Sequence, residues 1–474
     1  MDKKIIVLFR NDLRIEDHPA LWHAAKDGTV IPVFIQNDSQ NGNIPAKNYW
    51  THLSLQNLQM KLSTAGVPLV LRKGDPLVEI SQLVEETHAQ AVYFNEHFSS
   101  EERQQDELLL HLLKEKNIEV QTFYGDTLFS LASITNKQSK PYAIFTSFYK
   151  RCLQEAVQKP LGIPTFKISS MSLQSLLLED LQLLDGNWYE KFNPHWNPGE
   201  DGAYAQIEQF IEGSLHHYGT QRDFPATVAI SRISPYLAAG NISIRTLWSI
   251  LTAQLEDEDD VAIHQQIESF LRQLIWREFS YYQLMHQPLF TTQPLRSDFL
   301  QFHWEPDAAA LEAWKKGKTG YPLVDAGMRE LWATGYMHNR VRMVVASFLV
   351  KHLLQPWQTG YAWFEYTLVD FNAANNAMGW QWVAGTGIDS APYFRIFNPT
   401  LQSEKFDAEG AYIKKWVPEL AELPAKYIHS PSTAPHSILE QASVKLGSTY
   451  PVPIVDHQAA RARALERYQA IKKT

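Results

Sequence analysis

The chain has 474 residues, 45% hydrophobic and 20% charged, with one cysteine, which excludes fibrous, low-complexity and disulfide-stapled proteins and predicts two or three globular domains. Its 43 basic and 52 acidic side chains leave a net charge of −9, so nucleic acid is not held by bulk charge and any such surface must be a local patch. The start Met-Asp-Lys-Lys leads through only five apolar residues to Arg10, unlike a signal peptide, and no window approaches the ~18 apolar residues of a membrane span; with Cys152 as its lone thiol, the chain is expected to be cytoplasmic and without a membrane partner.

The first apolar run, residues 5–9, reads as a strand, followed by a polar turn, a helix opening near Asp17 and Pro19, and a second strand at 30–35. Further strands are expected at 69–72, 91–95 and 118–123, with helical patterns at 49–65 and 102–116 between them. This alternation predicts an α/β domain over residues 1–130, a parallel doubly wound sheet with helices on both faces. Its first turn, Phe9-Arg10-Asn11-Asp12-Leu13-Arg14, lacks the glycines of a dinucleotide-binding fingerprint.

After Thr127 the strand signals fade, and Pro141, Pro160, Pro164, Pro194, Pro198 and Gly199 mark 131–200 as a long linker. From 201 to 474 apolar residues recur at helical spacing, as in Ile263, Ile267, Phe270, Leu271 and Leu274, which predicts an all-helical second domain. The acidic run 256–260 has no apolar face and reads as a solvated loop. Gly317-Lys318-Thr319 imitates the end of a P-loop, but Glu312 stands where its first glycine belongs. His216 and His217 are adjacent and point apart, so no metal site is expected.

The segment Ser231-Arg232-Ile233-Ser234-Pro235 reads as a helix start, with Ser234 as cap and Pro235 in the first turn. Its hydroxyls and guanidinium also suit a phosphate. Beyond it come Trp276-Arg277-Glu278-Phe279, then Met337-His338-Asn339-Arg340-Val341-Arg342-Met343, the stretch 370–382, and Pro392-Tyr393-Phe394-Arg395-Ile396-Phe397-Asn398-Pro399. In this order and spacing the chain resembles the photolyase and cryptochrome flavoprotein family over nearly its whole length, on the class I branch that repairs cyclobutane pyrimidine dimers.

That resemblance implies an antenna-binding α/β domain joined by a linker to an all-helical domain holding FAD without a covalent bond. It places Tyr218, Ser231, Arg232, Ile233, Ser234 and Arg277 around the flavin diphosphate, and Asn339, Arg342, Asp370, Asn372 and Asn376 around the ribityl chain and ring. An amide at Asn376 can donate or accept near the flavin, where a carboxylate would favour one protonation state. Trp380, Trp357 and Trp304 fall on the family's electron chain from flavin to surface. Trp276 and Trp382 correspond to the indoles that clamp a flipped lesion, whose lost stacking an aromatic face restores in part. Gln273 and Met343 would complete the lesion pocket, and Arg340 and Arg395 would meet DNA phosphates, helped by the seven basic against three acidic residues in 311–351.

The activity that the resemblance implies is that of a carbon–carbon lyase: light-excited reduced FAD lends an electron to the dimer in damaged DNA and recovers it after the ring opens. Gln273 stands where Glu is usual, which keeps repair of (6-4) photoproducts and a light-sensing cryptochrome as alternatives, and Ile230 stands where the family often has Thr. For a second chromophore the folate motif retains only its acid, in Glu101-Glu102, so methenyltetrahydrofolate, deazaflavin or none are all admitted. The enzyme is expected to act as a monomer.

Overall fold

The computed structural model describes residues 2–37, 44–167, 173–184, 186–257 and 261–472. Five strands, β1 (Lys4–Phe9), β2 (Thr29–Gln36), β3 (Val70–Lys73), β4 (Ala91–Asn95) and β5 (Glu119–Phe123), form one sheet in the order β3-β2-β1-β4-β5. All four pairings are parallel. Between them run α1 (Pro19–Asp27), α2 (Pro45–Thr64), α3 (Pro76–Thr87) and α4 (Ser100–Glu115).

The alternation of side chains along β1 explains why both faces are covered. Ile5, Val7 and Phe9 pack with Leu21 and Ala24 of α1 and Leu55, Leu58 and Leu62 of α2. Ile6 and Leu8 point the other way, into Leu83 and Val84 of α3 and Leu109 and Leu113 of α4. A strand buried on both sides reads as a continuous apolar run, which is why β1 is visible in the sequence.

Packing divides the chain into two compact units. The first holds residues 1–216, 231–288 and 369–371, and the second 217–230, 289–368 and 372–474. Within the first, the stretch after residue 231 is tied to the sheet by buried polar contacts. Arg14 donates to the carbonyls of Asp17, Gly125 and Gly240, and Asp17 accepts from Arg245 at 2.7 and 3.1 Å. Gly240, at φ +67°, lies so close to the backbone of Asn11 and Asp12 that a Cβ there would collide with it.

The linker stretch is not irregular throughout: it contains the helix Phe145–Cys152, which packs on the 26-residue helix Val261–His286 through Phe148 against Phe279 and Tyr282. Of the acidic run, Glu256 and Asp257 end the helix Ile244–Asp257, and 258–260 lie outside the described residues. Among the described residues no helix is long and apolar enough to cross a membrane, and no cluster of three or more His, Cys, Asp or Glu could hold a metal ion.

Candidate functional site

The expected site residues fall in both units. In the first, Ser231 to Ser234 lead into the short helix Ser234–Ala238. Arg232 adopts a left-handed backbone, φ +50°, uncommon outside glycine and associated with functional segments. Its guanidinium lies 4.1 Å from the ring centre of Trp196. Ile233 is buried, and its N–H reaches Ser231 Oγ at 3.4 Å.

The structure corrects the expectation that Ser234 caps this helix. Ile233 holds the cap position and no side-chain cap is formed; Ser234 is the first helical residue, and its hydroxyl donates to Asp370 Oδ2 at 2.7 Å. Capping needs the hydroxyl oxygen to accept from the first-turn N–H groups at the position before the helix, which Ile233 occupies. One contact thus joins two expected cofactor residues that are 136 positions apart.

The helix Val261–His286 carries Gln273, Trp276 and Arg277. Gln273 and Trp276, three residues apart, share a helix edge and are half-buried. Gln273 Nε2 donates back to the carbonyl of Ser269 at 3.1 Å, which fixes the amide with its oxygen as the remaining acceptor. The indole of Trp276 lies flat on Phe145. Arg277 turns inward and is engaged by Asp126, donating to its carbonyl and carboxylate at 2.7 Å each, so it clamps the segment that follows β5. Next to it, Glu278 is fully buried and accepts from the N–H of Leu128 at 2.9 Å. Burial pushes its carboxyl up to about 8. Its oxygen is only 3.5 Å from Arg277, which favours ionisation, but burial prevails because Asp126 already balances that guanidinium.

In the second unit, the helix Ala373–Ala384 orders a row of expected residues. Asn372 caps it, accepting from the N–H of Asn375 at 3.0 Å. Asn376 and Trp380 follow at four-residue steps, on one face. Asn376 Nδ2 donates to the carbonyl of Tyr361 at 3.1 Å. Trp380 is 2% exposed and packs edge-on against Phe364, centroids 5.0 Å apart, and Trp314, 6.3 Å. Its Nε1 has no hydrogen-bond partner among the described residues. Gly360 lies directly beneath this indole, where a Cβ would collide with the ring. Gly360 belongs to the helix Trp357–Thr367, one turn from buried Trp357, and Trp357 and half-buried Trp304 line a common cleft. The three tryptophans therefore run from the interior toward the surface.

Of the remaining positions, Tyr218 is buried beneath the guanidinium of Arg222, 5.5 Å away, and burial raises its pKa. Trp382 and Met343 are half-buried and Asn339 is exposed; Asn339 Nδ2 reaches Met343 Sδ at 4.0 Å. Arg342 donates to the carbonyl of Met337 at 2.7 Å. His338 caps the helix Asn339–Ser347, and burial lowers its pKa to about 4, so the ring is neutral near pH 7. Arg395 is exposed. Arg340 instead pairs with Asp223 at 2.7 Å and lies over Phe406.

The basic stretch 311–351 is largely compensated. Lys316 pairs with Glu312 at 2.9 Å and Arg329 with Glu419 at 2.8 Å. Lys351 is 1% exposed, donates to the carbonyl of Arg395 at 2.9 Å, and is lowered by burial to about 7. Lys315 lies over the ring of Trp363, 4.7 Å from its centre. Near the sheet, Glu102 closes a capping box with Ser99, which engages the one acid retained from the folate motif.

Sequence reasoning missed Phe145, Asp126, Phe364 and Gly360, which support the expected residues from behind. Only Phe145 had a local signal, the aromatic pair Phe145 and Phe148 at helical spacing. The donor set suits FAD: hydroxyls and a guanidinium at 231–234 for a diphosphate, and an oriented amide at Asn376 for a ring edge that accepts or donates according to its redox state.

Two family models match the chain, DNA photolyase over residues 5–165 and the FAD binding domain of DNA photolyase over 270–470. Deoxyribodipyrimidine photo-lyase of Agrobacterium fabrum is 42% identical across 99% of this chain and 98% of its own length. Cryptochrome-2 of Arabidopsis thaliana is 37% identical across 98% of this chain and 79% of its own length. Among solved structures, a bacterial class III photolyase from Agrobacterium tumefaciens superposes with a TM-score of 0.96 at 42% identity, covering 100% of this chain and 98% of its own. An archaeal photolyase from Sulfolobus tokodaii with two FAD molecules has a TM-score of 0.81 at 31% identity, covering 98% and 100%. The structure that superposes over the whole chain is a class III photolyase, whereas the motifs suggested the class I branch.

Proposed function

The chain belongs to the photolyase and cryptochrome family, and on that premise we propose that it is a light-driven DNA repair enzyme that opens cyclobutane pyrimidine dimers with FAD as photocatalyst. The observation that carries this reading is the match to deoxyribodipyrimidine photo-lyase across 99% of the chain. When bound and reduced, FAD supplies the light-excited electron that splits the cyclobutane ring.

The chain's own residues bind, orient and insulate. Ser231, Arg232 and Ser234 hold the diphosphate side, with Asp370 fixing the Ser234 hydroxyl. Tyr218, Ile233, Asn339, Arg342 and Asn372 complete the cofactor's surroundings, and Asn376, its amide set by Tyr361, faces the ring edge. Trp276, Trp382 and Met343 take the flipped dimer, the indoles returning part of its lost stacking. Gln273 offers its amide oxygen and no charge, so it positions the lesion without an acidic proton. Arg395 and Arg340 meet phosphates, the charge of Arg340 being partly offset by Asp223. Trp380, Trp357 and Trp304 restore the reduced cofactor from an oxidised resting state. Residues 1–130 take the antenna role, 131–200 the linker and 201–474 the flavin and lesion role; the second chromophore is folate, deazaflavin or none. The enzyme acts in the cytoplasm as a monomer.

The deciding experiment follows absorbance near 260 nm while chemically reduced protein and a thymine cyclobutane-dimer oligonucleotide are illuminated with near-ultraviolet light, with a (6-4) oligonucleotide in parallel. Recovery on the cyclobutane substrate alone is expected. Recovery only on the second oligonucleotide would assign the (6-4) reaction. Recovery on neither, with flavin bound, would favour the photoreceptor reading that the similarity to cryptochrome-2 supports.

A further inference from the structure

Trp304 and Trp357 share a cleft of about 120 Å³ whose other walls include Leu300, Gln358 and Thr386. With one water taking roughly 10–15 Å³ on this measure, it has room for about ten non-hydrogen atoms. Gln358 Nε2 donates to the carbonyl of Thr292 at 3.1 Å, which sets the amide, since the flipped form would oppose two oxygens. The amide oxygen, Gln358 Oε1, is then a buried acceptor with no hydrogen-bond partner among the described residues. A buried acceptor of this kind favours a ligand with a strong donor.

We propose that this cleft binds the external electron donor, a small reductant of the enediol class, with a hydroxyl on Gln358 Oε1 and its plane against Trp304. The inference rests on the reading of Trp380, Trp357 and Trp304 as an electron chain. Three features select the class. A thiol is a weak donor for an orphaned amide oxygen, a nicotinamide dinucleotide far exceeds the volume, and an indole that has lost one electron needs a one-electron donor rather than a hydride.

The step balances without a further reactant. Trp304, having passed one electron inward, takes one from the enediol; the hydroxyl proton leaves to water, and the neutral indole is restored. The enediol departs one electron poorer, and two such molecules disproportionate in solution to one enediol and one dicarbonyl.

The test follows photoreduction of the FAD-loaded full chain under constant blue light as ascorbate, the enediol probe, is raised. A rate that saturates with ascorbate is expected, with the half-saturating concentration at least fivefold higher in Gln358→Leu and in Leu300→Trp, which fills the cleft from an exposed position. β-Mercaptoethanol should give a rate linear in concentration. A linear ascorbate dependence, or half-saturation unchanged in both variants, would overturn the binding site while leaving the chain reading intact. Undiminished photoreduction in Trp304→Phe with either donor would overturn the chain reading, and the proposal with it.

Discussion

The indole of Trp276 lies face to face with the phenyl ring of Phe145, centroids 3.5 Å apart and planes within 7°. The two residues come from different helices of one unit, and the contact covers one face of the indole and holds it in place, as the proposed role of a wall for the lesion requires. Arg272, one turn before Trp276, adds its guanidinium 5.0 Å from the same phenyl ring. Phe145→Ala should therefore weaken binding of a dimer-containing oligonucleotide by about 2- to 12-fold, the range of an aromatic pair worth 0.5–1.5 kcal/mol. Titration by fluorescence anisotropy checks this, with flavin content as the control for folding.

Trp380→Phe should abolish photoreduction while repair by chemically reduced enzyme persists. Because Nε1 of Trp380 has no hydrogen-bond partner among the described residues, the substitution breaks no hydrogen bond there, and its structural cost should be small. Loss of repair in the reduced variant would refute the separation of the two roles.

Arg395 and Arg340 should differ. Arg395 is exposed, whereas the charge of Arg340 is offset by Asp223 at 2.7 Å. Arg395→Ala is expected to weaken DNA binding at low salt and to reduce the salt slope by about one. Arg340→Ala should weaken it less, and Asp223→Asn should strengthen it. Affinity measured from low to moderate salt decides between them.

Glu278 should leave a mark on stability against pH. Its carboxyl is raised by burial from 4.5 to about 8 in the fold, so the folded state holds a proton that the unfolded state has already released. That contribution is fully present below pH 4.5 and is lost as pH rises through about 8. Glu278→Gln keeps an uncharged acceptor for Leu128 and should flatten the fall in Tm between pH 5 and 9. An equally steep fall in the variant would refute the assignment.

The sheet was legible because strands buried on both faces become unbroken apolar runs, so residues 91–95 were read with the bounds of β4. The helix Phe145–Cys152 was not, because surrounding prolines mask a helix of eight residues whose apolar face needs the Val261–His286 helix to complete it. Side-chain partners were hidden for the same physical reason. Ser234 looks like a cap until Asp370 arrives from 136 positions away, Arg340 looks like a free cation until Asp223 neutralises it, and Lys351 looks like surface charge although it is buried. Spacing along a helix reveals which residues share a face, as with Asn372, Asn376 and Trp380, but not what opposes them.

The buried contact between Asp17 and Arg245 limits how this architecture can be recombined. A fragment ending in the linker would leave the Asp17 carboxylate without the cation that balances it, and would uncover Arg14, whose carbonyl acceptors include Gly240. Exchange of the sheet between relatives should therefore succeed only when residues 231–288 travel with it, so that the unit of inheritance is discontinuous in sequence and does not end where the strands do.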